Sequence, residues 1–144
     1  MIKFNGENIL VTGASDGLGK AICILLNSLG ANVIGIARSE DKLKLLKEEM
    51  TYKEKFSYVI RDLSIDIDEL PNLVSKIAKE YGKLTGLVYA AGKLELLPIK
   101  ALDSNSIDSL YNVNFKSLLM TTKGFTDKRN SLENSSIVYI SSIS

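Results

Sequence analysis

Glycines at positions 13, 17 and 19 follow the apolar run Ile9-Leu10-Val11 in the segment Asn8-Ile-Leu-Val-Thr-Gly-Ala-Ser-Asp-Gly-Leu-Gly19. The apolar run is strand-like, and the residues after Gly17 read as the start of a helix, so the glycines fall in a strand-to-helix turn. Such a turn leaves backbone N–H groups unpaired at a helix N-terminus, where the helix dipole also favours negative charge. Gly13 can take positive φ and turn the chain tightly. Gly17 and Gly19 lack the Cβ atoms that would hold a pyrophosphate, or the neighbouring strand, at a distance. The chemistry expected of this turn is dinucleotide binding.

The elements that must position it can be read in order. From Leu18 the apolar residues fall at 18, 21, 22, 25 and 29, the spacing of an amphipathic helix, and Gly30 suits its C′ position. Residues 31–37 are β-branched and apolar, a buried second strand. Ser39 suits an N-cap, and the helix behind it carries Leu43, Leu46 and Met50 inward. Phe56-Ser-Tyr-Val-Ile60 reads as a third strand. A longer helix follows, with Ile67, Leu70, Leu73, Val74, Ile77, Ala78 and Tyr81 on one face. Pro71 is tolerable only in its first turn, which sets its start near Leu70. Leu87-Val-Tyr-Ala-Ala91 is a fourth strand ended by Gly92. A helix beyond Pro98 puts Ile107, Leu110, Tyr111, Asn114, Leu118, Thr121 and Phe125 on one stripe, and Ser136-Ile-Val-Tyr-Ile140 is a fifth strand.

Strands alternating with helical crossovers predict an α/β fold, a Rossmann-type doubly wound parallel sheet in three αβα layers with strand order 3-2-1-4-5. Ligand then binds at the carboxyl ends of strands 1 and 4, where the winding direction reverses, and Gly13 and Gly92 both sit at such ends.

The 144 residues suit one domain, and 45% hydrophobic with 24% charged residues is the composition of a globular protein. A net charge of +1 gives no reason to expect nucleic acid or an anionic membrane as partner. One cysteine, Cys23, and no histidine fit a reducing compartment and argue against a transition-metal site. No run approaches the ~20 apolar residues of a membrane span, and the N-terminus lacks a signal peptide's apolar core, so a cytoplasmic location is expected.

Asn114 stands out on the fourth helix, because a buried amide must be hydrogen-bonded or it costs on the order of 1–3 kcal/mol. It reads either as a core amide satisfying neighbouring backbone or as a site residue.

Taken together, Thr12-Gly-x-x-x-Gly-x-Gly19, Ala90-Ala91-Gly92, Asn114 and a strand ending in Ser141-Ser142 resemble the short-chain dehydrogenase/reductase family. The likeness is to its non-extended branch and runs over the whole chain, with the 3-oxoacyl-carrier-protein reductases and related ketoreductases closest in flavour. The resemblance implies that Thr12 braces the glycine turn against the fourth strand and that the Leu18 N–H meets the pyrophosphate. It adds Ser15, Asp16, Ala90, Ala91 and Gly92 to the cofactor contacts of the glycines. Asp62-Leu63 match the pair that holds the adenine. Asn114 matches the asparagine whose backbone carbonyl holds a water in a proton relay. Ser142, with Ser141 or Ser144 as alternatives, matches the serine that hydrogen-bonds a substrate carbonyl.

Cofactor choice turns on the residue about 20 positions beyond the glycines, at the end of the second strand, which meets the adenosine ribose. An acid there would bind the 2′-hydroxyl of NAD and repel a 2′-phosphate. This chain has Ala37 followed by Arg38, a bidentate phosphate donor, which favours NADP(H). Asp16, where phosphate-binding relatives often carry a basic residue, points towards NAD(H).

Two departures from the family matter. The fourth-strand motif, usually Asn-Asn-Ala-Gly, is Tyr89-Ala90-Ala91-Gly92 here, without the amide that ties the sheet together. The Tyr-x-x-x-Lys expected on a helix after the fifth strand is absent. Tyr89 and Lys93 match that pattern literally, but a strand end and a glycine turn do not bring them together as one helical turn would. The expectation is therefore the cofactor-binding part, truncated at the C-terminus, of an NADP(H)-dependent reductase of small-molecule ketones, inactive alone and with an exposed fifth strand that invites homo-oligomers. A short non-catalytic nucleotide-binding or interaction protein is the alternative; an isomerase or epimerase with tightly held NAD fits the glycine spacing and Arg38 less well.

Overall fold

The computed structural model describes residues 1–141. Strand β1 (Asn8–Thr12) leads through the glycine turn into helix α1 (Gly17–Ser28), then β2 (Asn32–Ala37) and α2 (Glu40–Glu49). Next come β3 (Phe56–Ile60), α3 (Leu70–Tyr81) and β4 (Leu84–Tyr89). Helix α4 (Ser104–Tyr111), a π-helical turn (Asn112–Lys116), α5 (Ser117–Phe125) and β5 (Ser131–Tyr139) complete the order. All strands pair in parallel, in one sheet ordered β3-β2-β1-β4-β5. Among the described residues no helix is long and apolar enough to cross a membrane.

The side-chain alternation of β1 divides the core into two layers. Ile9 and Val11 join Val33, Cys23, Leu43, Leu46 and Phe56 on the α1/α2 face. Leu10 joins Ile34, Leu87, Val74, Ile77 and Phe125 on the α3/α5 face. Helices therefore cover both sides, and fully burying residues such as Leu10 and Ile34 contributes about 1.5–3 kcal/mol each. Parallel strands covered on both faces must be apolar throughout, which is why β1 and β2 are short runs of Ile, Leu, Val and Ala.

Two helix faces differ from expectation. The stripe at 18, 21, 22, 25 and 29 turns only partly to the core: Ile22 packs against it, but Leu18 and Leu25 are 64% and 58% exposed. The buried face of α1 is Gly19, Cys23 and Asn27. Close approach is the reason, since a Cβ on Gly19 would lie 2.0 Å from the Gly13 carbonyl oxygen. Only a face of small residues can pack that tightly, and Asn27 is accommodated because its amide pairs with the Tyr52 N–H and C=O.

The second difference is the fourth helical connection. One continuous apolar stripe from Ile107 to Phe125 is broken by the π turn, which shifts the helical phase. Thr121 and Phe125 are buried, whereas Ile107 and Tyr111 are exposed. Strand boundaries move as well: β4 starts at Leu84 and ends at Tyr89, and β5 starts at Ser131. Helix α2 buries Leu43 and Leu46, Met50 is buried just past its end, and α3 starts at Leu70 with Pro71 in its first turn.

Candidate active site and dinucleotide cleft

A cleft of about 540 Å³ opens at the carboxyl ends of β1 and β4. Of the residues singled out from the sequence, Gly13, Ser15, Asp16, Gly17, Leu18, Arg38, Asp62, Leu63, Ala90, Ala91 and Gly92 line it. Thr12 and Gly19 lie behind the lining and shape it. The turn itself has Gly13 at φ +69° and Gly17 at φ +51°, conformations that favour glycine. A Cβ on Gly13 would press to 2.8 Å on the Ala90 carbonyl oxygen, while one on Gly17 would meet nothing within 4 Å. Gly13 is thus demanded by the packing of β1 against β4, and Gly17 faces open space beside the helix N-terminus.

Thr12 joins the two strands at the switch point. Its buried Oγ1 accepts hydrogen bonds from the Ala90 and Ala91 N–H groups, both at 3.1 Å. The two backbone amides following β4 are thereby satisfied by a side chain of β1.

The far end of the cleft carries charge. Arg38 is exposed at the end of β2 and forms no ion pair among the described residues. Asp62 Oδ1 accepts from the Ser64 N–H and hydroxyl at 2.9 and 2.6 Å. Burial opposes ionisation of Asp62, but those two bonds, with Arg38 and Arg61 nearby, outweigh it and hold its carboxyl below the usual range. Asp16 is held below its ordinary value chiefly by the Lys42 ammonium, 2.8 Å away.

Sequence reasoning passed over Arg61, Ser64 and Ser109, which also line the cleft together with Lys93. Arg61 and Ser64 flank Asp62-Leu63, so adjacency was a usable signal. Arg61 is fixed by two bonds from Nη2 to the carbonyls of Ile65 and Asp66, at 3.0 and 2.8 Å. Lys93 pairs with Glu95 in the same loop at 2.7 Å and donates to Ser109 Oγ at 3.0 Å, a contact that joins the loop to α4 and leaves no local pattern.

Asn114 occupies the π turn and is exposed, not turned with the apolar stripe. Its amide is nevertheless satisfied: Oδ1 accepts from the Lys93 N–H at 2.8 Å, and Nδ2 donates to the Lys93 carbonyl at 2.9 Å. This pair fixes the chain after Gly92 against the helical layer. Ser142 and Ser144 lie outside the described residues. Tyr89 and Lys93 do not form a pair: the fully buried Tyr89 hydroxyl donates to the Val113 carbonyl at 2.6 Å, and burial raises its pKa. Tyr89 instead ties β4 to the π turn, in the motif that lacks the family's amide. Burial likewise pushes the Cys23 thiol up to about 12, so it stays a neutral core group.

Known proteins share both pattern and fold. The sequence signature of the family described as short chain dehydrogenase matches residues 7–144. An uncharacterised oxidoreductase of Saccharomyces cerevisiae is 39% identical over 140 residues, 95% of this chain and 54% of that protein. The 3-oxoacyl-[acyl-carrier-protein] reductase of Rickettsia typhi is 35% identical over 144 residues, covering 99% of this chain and 56% of the relative. A crystal structure of a variant actinorhodin polyketide ketoreductase with NADPH superposes with TM-score 0.84 at 26% identity, over 99% of this chain and 55% of that one. The chain thus spans a little over half the length of each of these three proteins. With the glycine turn, the Thr12 brace and the 3-2-1-4-5 sheet in the same molecule, the chain belongs to the short-chain dehydrogenase/reductase family of oxidoreductases.

Proposed function

We propose that this chain is the cofactor-binding part of an NADP(H)-dependent reductase that converts a small-molecule ketone to an alcohol. The cleft has the features a dinucleotide needs: N–H groups at the start of α1 without a side-chain cap, open space at Gly17, and carboxylate Asp62 at the far end. In this reading the α1 N-terminus receives the diphosphate, Asp62 and Leu63 hold the adenine, and Ala90 to Gly92 form the floor beneath the nicotinamide. When bound, the cofactor supplies a hydride to the carbonyl carbon while the carbonyl oxygen takes up a proton. Asn114 and Ser142 are proposed to serve that reaction, Asn114 through its backbone carbonyl and Ser142 through its hydroxyl. The names of the relatives, an acyl-carrier-protein reductase and a polyketide ketoreductase crystallised with NADPH, support carbonyl reduction. Exposed Tyr111, Phe115, Leu132 and Val138 support association with a second copy of the chain.

The observation that carries the choice of NADP(H) is Arg38, which follows β2 where an acid would select NAD(H) and which has no ion-pair partner among the described residues. Calorimetric titration with NADPH and NADH tests it. The wild type is expected to bind NADPH more tightly, and Arg38→Ala to lose about tenfold for NADPH with little change for NADH, the scale of one charge-assisted fork. Equal binding of both cofactors by the wild type would remove the case for NADP(H).

A further inference from the structure

Asp16 is the N-cap residue of α1, in extended conformation at φ −144° and ψ 161°. An aspartate there ordinarily turns its carboxylate back onto the first free N–H groups of its own helix. This one makes no capping bond. Its Oδ2 and Oδ1 instead lie 2.8 and 3.1 Å from Nζ of Lys42, in the first turn of α2. The other nearby ammonium, Lys20, is engaged with Glu49 at 2.8 Å.

The alternative position of that carboxylate conflicts with the ligand. Capping α1 would consume the N–H groups at Leu18 and Gly19 and set a negative charge where the dinucleotide brings its own. Resting on the cleft being a dinucleotide site, we infer that Lys42 is a positioning residue for cofactor binding: it holds Asp16 off the helix N-terminus and so removes a competing anion built into the glycine turn. The arrangement also explains how an acid can stand in the turn of a phosphate-binding cleft, since α2 supplies the neutralising charge. Both side chains are more than half exposed, 53% for Lys42 and 69% for Asp16, so the pair adds little to fold stability. The Ser39 cap of α2 is made to the Lys42 backbone N–H and is independent of the ammonium.

The test is a double-mutant cycle read by calorimetric titration with NADPH and NADH at low salt. Lys42→Met is expected to weaken both dinucleotides roughly fivefold, the scale of one charge at a helix N-terminus. Lys42→Arg should bind like the wild type. In an Asp16→Ala background, Lys42→Met should change affinity less than about twofold, because the carboxylate it restrains is gone. Wild-type affinity in Lys42→Met overturns the inference, as does an equal loss with and without Asp16, which would mean that Lys42 meets the ligand directly. Failure of the wild type to bind either dinucleotide is the separate result that overturns the cofactor reading, and the inference with it.

Discussion

Thr12→Val removes one oxygen atom and keeps the shape of a buried side chain. In the wild type that oxygen accepts from two backbone N–H groups, Ala90 and Ala91, at 3.1 Å each, and Thr12 itself has no exposed surface. Valine leaves both donors without a protein acceptor. An unmet buried donor costs about 1–3 kcal/mol. Ala90 and Ala91 are only partly buried on the cleft, so water recovers part of this, and a total near 2 kcal/mol is expected. For a chain of 144 residues the unfolding entropy converts each kcal/mol to about 3 °C, so the melting temperature should fall by roughly 6 °C. Urea unfolding should show the same loss as a midpoint shift of about 1 M at unchanged slope. Thr12→Ser keeps the acceptor and loses one buried methyl, with a cost near 1 kcal/mol. A Thr12→Val variant within 0.5 kcal/mol of the wild type (about the ordinary scatter of surface changes) would refute the brace, as would a serine variant as unstable as the valine one.

Tyr89→Phe should cost about 1–2 kcal/mol by leaving the Val113 carbonyl unpaired, and should speed amide exchange in residues 112–116 more than in β1 or β2. Unchanged exchange in that turn would show that the tyrosine does not hold it. Asp62 has a carboxyl pKa below its ordinary value in the folded state, so its contribution to stability is present above the unfolded value near 4 and is lost as pH falls through the folded value. Asp62→Asn, whose amide oxygen can still accept from Ser64, should therefore flatten the decline of melting temperature below about pH 4, and identical declines in both proteins would count against that role.

The glycine turn was legible because its demands are local. Close approaches of 2.8 Å at Gly13 and 2.0 Å at Gly19 admit no side chain, and a positive φ at Gly17 disfavours one, so the residue types alone announce the backbone. The sheet was legible for a related reason: the central strands β1 and β2, buried on both faces, have to be apolar runs, and five strands separated by helical crossovers leave few arrangements. The face of α1 was misread because apolar spacing reports where the large residues lie, and this helix buries its small ones most deeply. Only the place of Asn114 on the apolar stripe was misread, because the π turn rotates the helix, and that turn is held from outside by Tyr89 and Lys93.

By itself the sequence determined the doubly wound sheet, the position of the cleft and the residues of its glycine-rich wall, since each follows from steric limits within a few neighbouring residues. Tertiary structure alone decided how charge is distributed there. Asp16 and Lys42, 26 residues apart, become an ion pair only when α1 and α2 lie side by side on one face of the sheet. Lys93 meets Ser109, 16 residues on, only because the loop after β4 lies against α4. Coulombic and hydrogen-bonding partners are chosen by distance in space, and no pattern in the order of residues records that distance.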